Sequence, residues 1–137
     1  MVYEDRFFTR LKFSREQTEE NLANARRDLE IAKRDDILDV KFNFAYSALI
    51  KGGIALLSHS QLRVKSIPGH QAKIIEYLAQ AMKDDSIETL GNLMRQKRNQ
   101  DFYAGGIKVT EKECKEYLSF TESVLKRVEE LIISQAM

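Results

Sequence analysis

Apolar residues along this chain recur at three- and four-residue steps, and no run sustains the period-two alternation of a half-buried strand. The pattern therefore predicts helices and no strands. Ser14-Arg15-Glu16-Gln17 reads as a capping box, and Leu22, Ala25, Leu29 and Ala32 then trace one helical stripe to about Arg34. Ahead of it, Phe7, Phe8, Leu11 and Phe13 mark the segment from Tyr3 to Phe13 as a short helix packed against the bundle. A second long helix is expected from about Asp36 to His59, so dense in apolar residues that it must be buried on more than one face. Its Ala45, Ala48, Gly52 and Ala55 form a narrow small-residue stripe where a neighbouring helix can approach closely. The turn Ser66-Ile67-Pro68-Gly69-His70 leads into a third helix, Gln71 to about Met82, with Ile74, Ile75, Leu78 and Met82 inward. Asp85 or Ser86 caps a fourth, Ile87 to about Tyr103, which Gly105-Gly106 ends. A second capping box, Thr110-Glu111-Lys112-Glu113, opens the last helix, whose stripe is Tyr117, Phe120, Val124, Val128 and Leu131. The expected fold is all-α, an antiparallel bundle of four main helices plus a short N-terminal helical segment, forming one domain over residues 1–137.

Composition narrows the function classes. A chain of 137 residues, 43% apolar and 31% charged, suits one hydrophobic core and is too apolar for a disordered segment. With 22 Lys and Arg against 21 Asp and Glu, the net charge is +1. Attraction to nucleic acid must then come from a local patch, not from the bulk field. The lone Cys114 excludes a disulfide scaffold and a thiolate metal site, and is expected to be inert and partly buried. His59 and His70 have no regular ligand spacing, so neither a metal nor a cofactor is expected. Asp35, Asp36 and Asp39 fit helix capping better than cation binding, and Lys51, inside an apolar helix, should reach the surface or pair with an acid. The first residues carry charges and no apolar leader, and the longest uncharged stretches, residues 42–50 and 52–62, are too short to span a bilayer. The expectation is a soluble cytoplasmic protein with no membrane partner.

The candidate chemistry concentrates on the fourth helix. Its second half reads Leu93-Met94-Arg95-Gln96-Lys97-Arg98-Asn99-Gln100-Asp101-Phe102-Tyr103. Arg95, Arg98 and Phe102 share one helical face, Asn99 lies one turn after Arg95, and Tyr103 one turn after Asn99. Guanidiniums beside an amide and a phenol form a compact donor set suited to a phosphate oxygen, and Tyr103 could stack on a base. The plainer reading of Arg95, Lys97 and Arg98 is a solvated basic face near a helix C-terminus, where the macrodipole favours cations. His70, just past Pro68-Gly69, should cap the third helix or bond a backbone carbonyl, with an auxiliary role at the site as the alternative.

These residues resemble the HEPN domain superfamily, all-α proteins found among prokaryotic toxins, nucleotidyltransferase partners and RNA-processing proteins. The resemblance spans about Asn21 to Ile132. It rests on Ala23-Asn24-Ala25-Arg26-Arg27-Asp28-Leu29-Glu30-Ile31-Ala32, on Phe44-Ala45-Tyr46-Ser47-Ala48, on the Ser66–His70 turn, and above all on Arg98-Asn99-Gln100-Asp101-Phe102-Tyr103. That last segment falls where the family carries an Arg-x4–6-His motif used for metal-independent RNA cleavage. Here the histidine position is Tyr103, and no histidine follows His70. A phenol with a pKa of about 10 is a poor general base at neutral pH, whereas an imidazole near about 6.5 is well matched. The resemblance thus implies a module binding RNA or a nucleotide through Arg95, Lys97, Arg98, Asn99 and Tyr103, with nuclease activity weakened or lost. The alternatives it leaves are an active metal-independent ribonuclease toxin using Arg98, Asn99 and Tyr103, and a non-enzymatic bundle partnering a nucleotidyltransferase or antitoxin. It further implies a homodimer that sets two Arg-Asn pairs around one cleft.

Overall fold

A computed structural model describes residues 6–104 and 108–135, with side chains over 6–100 and 108–135. The chain is an all-α bundle of five helices carrying one two-stranded sheet. In order, these are β1 (Phe8–Arg10), α1 (Arg15–Arg34), α2 (Leu38–His59), β2 (Leu62–Val64), α3 (His70–Met82), α4 (Asp85–Ala104) and α5 (Glu111–Gln135). The strands correct the expectation of a helical N-terminus. Phe8, Thr9 and Arg10 pair antiparallel with Val64, Arg63 and Leu62. Phe7 and Phe8 are buried as expected, Phe8 edge-on to Tyr77 with ring centroids 5.9 Å apart, but they reach the bundle from a strand. Elements of three residues are too short to establish a period in the sequence. The helix after the Pro68-Gly69 turn forms where the spacing predicts it, over 13 residues, so all five helices marked in the sequence are present.

Both capping boxes form. Ser14 Oγ accepts from Gln17 N at 3.1 Å while Gln17 Oε1 accepts from Ser14 N at 2.8 Å. Thr110 and Glu113 exchange the same two bonds at 3.0 Å each. At the start of α4 the capping residue is Asp84, one position earlier than expected: its Oδ1 accepts from Ser86 N at 3.0 Å. Its Oδ2 accepts from Arg127 Nη1 of α5 at 2.8 Å, tying the α3–α4 corner to the last helix.

Side-chain pairings fix the helix directions. Thr18 meets Ser58 and Asp28 meets Ser47, so α1 and α2 run antiparallel; Lys33 pairs with Glu122 and Arg26 with Glu129, so α1 and α5 do too. Tyr46 meets Gln71 and Ser60 meets Tyr77, which makes α2 and α3 parallel. The connection through β2 runs back along α2 before α3 begins, and at about 3.3 Å per extended residue it is long enough to do so.

The small-residue stripe of α2 performs as expected. Ala45, Ala48 and Ala55 are wholly buried, and a side chain at Gly52 would strike Leu125 of α5. Gly53 does the same for α3: a β-carbon there would enter the space of Ile74 and Leu78. Adjacent glycines therefore let α2 be approached closely from two sides at once, which makes it the central helix. Among the described residues no helix is long and apolar enough to cross a membrane.

Candidate functional site

A cleft of about 640 Å³ opens where α2, the start of α3 and the second half of α4 meet. The central helix supplies a polar line within an otherwise apolar sequence: Asn43, Ser47 and Lys51, at four-residue steps, all border the cleft. Beside them Phe44, Ile50 and Ile54 make an apolar wall. His70 and Gln71 enter from the first turn of α3, and Arg98 and Asn99 from α4. Lys51, His70 and Arg98 are the ionisable bases of this lining, and among the described residues no carboxylate borders it.

Arg98, Asn99 and His70 thus border one cleft, His70 having been only the auxiliary alternative in the sequence, and Arg95 is not among its lining residues. Arg95 sits one turn earlier, half-buried, with its Nε donating to Asn92 Oδ1 at 3.1 Å. The charges of Arg95 and Arg98 both reach the Tyr46 phenol electrostatically. Burial nevertheless raises that phenol far above its ordinary pKa, so Tyr46 is a neutral donor, and it donates to Gln71 Oε1 at 2.7 Å. Lys97 does not join the group. It lies about 200° around the helix from Arg95, and its ammonium donates to Lys108 O at 2.7 Å and sits 3.6 Å from Glu113 of α5. The side chains of Phe102 and Tyr103, in the last turn of α4, lie outside the described residues.

His70 does what the turn implied and more. Its Nδ1 lies 2.9 Å from Ile67 O, and a carbonyl can only accept, so Nδ1 carries a proton there. That bond fixes the ring on the cleft wall and leaves Nε2 as the nitrogen able to accept.

Sequence reasoning missed the support beneath Lys51. Asp28 of α1 is 4% exposed, and its Oδ2 accepts from Ser47 Oγ at 2.6 Å and pairs with Lys51 Nζ at 2.8 Å. Lys51 was expected to reach the surface or pair with an acid; it does both, its side chain staying 43% exposed at the cleft. The period-four polar line of α2 is the signal that could have revealed this face. Asn43 Oδ1, on the same line, is buried and accepts no hydrogen bond among the described residues.

A second hollow, of about 520 Å³, lies between the N-terminal half of α1 and the ends of α2 and α5. Its charged residues come with partners of opposite sign: Arg15 with Glu19, Arg26 with Glu129. His59, at its edge, is bonded to Gln135 at 2.9 Å. Among the described residues no group of three His, Cys, Asp or Glu could hold a metal ion. Cys114 is buried, its thiol pushed up by desolvation, which suits an inert role.

No protein-family model, no curated protein and no solved structure matches this chain.

Proposed function

We propose that the chain is a HEPN-like module that binds RNA or a nucleotide in the cleft between α2, α3 and α4. One observation carries the reading. Arg98 and Asn99 share a cleft with Lys51 and His70, in a lining free of carboxylates among the described residues. A chain of net charge +1 here brings cationic donors from two helices to one concave place, as an anionic ligand requires. The volume falls within the roughly 300–1,000 Å³ typical of small-ligand sites. With Tyr103 in the position of the motif histidine, RNA cleavage is weakened or lost.

A second reading, an active metal-independent ribonuclease, is favoured by His70. Its imidazole stands in the same cleft as Arg98, held by its bond to Ile67 O.

The test is fluorescence anisotropy with a short single-stranded RNA at several salt concentrations, for wild type and Arg98→Ala. Charged hydrogen bonds are worth about 1.5–3 kcal/mol, so the variant should bind about tenfold to a hundredfold more weakly. Equal affinities would remove the cleft from the reading. Incubating the same RNA without metal separates the two readings: cleavage that is lost in His70→Ala supports the ribonuclease, and intact RNA supports the binding module.

A further inference from the structure

We infer that Lys51 is a second phosphate ligand of this cleft, facing Arg98 across it, and that Asp28 is the positioning residue that holds its ammonium there. The bound group would be the phosphate monoester of a single nucleotide. This rests on the nucleotide reading of the cleft.

The argument begins with where the charges lie. Asp28 is buried between α1 and α2 and is absent from the cleft lining, whereas Lys51 borders the cleft. The pair is therefore a fixed dipole with its positive end toward the cleft. An ammonium has three donors, and the bond to Asp28 uses one, so donors are left for an anion. Ser47 adds a second bond to the same carboxylate oxygen, 2.6 Å long, which restrains Asp28 and through it the lysine stem. Only the acid of this pair is buried, and replacing such a pair by apolar residues of similar volume is often neutral for stability. Holding a charge at a binding surface is a use that the apolar pair cannot supply.

The rest of the lining fits what a nucleotide carries beyond its phosphate. Phe44, Ile50 and Ile54 offer an apolar face for a planar base. Asn43 also borders the cleft, its Oδ1 buried and accepting no hydrogen bond among the described residues. The cations come from two helices, Lys51 of α2 and Arg98 of α4, and both border the cleft.

The experiment is isothermal titration of the full chain with AMP, adenosine and inorganic phosphate. Wild type should bind AMP at least tenfold more tightly than either fragment. The double variant Asp28→Asn/Lys51→Gln removes one charge of each sign and leaves the net charge unchanged. It should weaken AMP at least tenfold and leave adenosine within twofold. Asp28→Asn alone should weaken AMP severalfold with adenosine again unchanged, a selectivity that a purely structural role would not produce. On wild-type protein, AMP should slow acylation of Lys51 severalfold, read by mass spectrometry, which needs no variant to fold. Lys51 unprotected by AMP, or a double variant that binds AMP like wild type, overturns the inference. If Arg98→Ala still weakens RNA in those cases, the binding reading stands without Lys51. A 5′-phosphorylated oligoadenylate that binds through Lys51 while the unphosphorylated one does not assigns the same phosphate to a chain end.

Discussion

The two larger hollows described among these residues are of similar size, and they differ in where their charges are paired. In the one between α1, α2 and α5, Glu19 of the lining sits beside Arg15, and Arg26 pairs with Glu129 from outside the lining. In the one between α2, α3 and α4, Lys51, His70 and Arg98 meet no carboxylate of the lining among the described residues, and the acid paired with Lys51 lies behind the wall. Volume alone would not choose between them. What sets the second apart is that cationic side chains from two helices border it while the acid paired with Lys51 lies outside its lining.

The contrast can be broken most strongly at Lys51. Lys51→Met leaves Asp28 buried with only Ser47 as a partner, and should cost about 3 kcal/mol, the low end for a broken buried pair because Lys51 is half exposed. Adding Asp28→Leu should recover most of that loss, since the apolar pair carries no stranded charge. Urea unfolding of the two variants measures both. Equal stability of the single and double variants would show that the pair is solvated.

A smaller effect is expected at Gly53, where a methyl group would press on Ile74 of α3. Overpacking costs about 1–3 kcal/mol, set against about 1 kcal/mol gained in helix propensity, so Gly53→Ala should lose about 1 kcal/mol net. It should also weaken AMP binding by moving α3 from α2, while Gly52→Ala, which presses on α5, leaves binding nearly unchanged. At the other hollow, Arg15→Ala breaks an exposed pair and should change stability by less than about 0.5 kcal/mol.

The smallest effect is in acid. The Ser86 hydroxyl, then Arg127, hold the Asp84 carboxyl below its ordinary range. Its folded pKa is the lower one, so its contribution is complete above the ordinary range near about 4 and is lost as pH falls through the lowered value. Asp84→Asn should therefore flatten the acid limb of a stability profile taken from about pH 6 to about pH 2.5, its small deficit against wild type being present near neutrality and closing toward the acid end. An unchanged limb would mean that the α3–α4 corner is not held by this charge.

Much of this was legible in the sequence where local chemistry decides local structure. The capping boxes at Ser14 and Thr110 and the stripe of α1 all stand where spacing put them. Arg98 and Asn99 were readable as a donor pair because one helix carries both. The partners that complete the cleft were not, because Lys51, His70 and Arg98 come from three helices whose arrangement no local signal encodes. Lys51 announced its need of an acid, but Asp28 is 23 positions earlier on another helix, inside a stripe otherwise read as core. The strands escaped because three residues of pairing, fixed by Gln61, β2 and the bundle surface, leave no periodicity to detect. Lys97 shows the converse limit: adjacency to Arg98 in sequence placed it with the site, and the helical turn of about 100° per residue carried it to α5.

The most direct measurement is the affinity for a short single-stranded RNA and for AMP of two arginine variants, one from each hollow. The account predicts that Arg98→Ala weakens both ligands about tenfold or more, with a shallower salt dependence, and that Arg15→Ala leaves them within twofold. Equal losses in the two variants, or none in either, would contradict it.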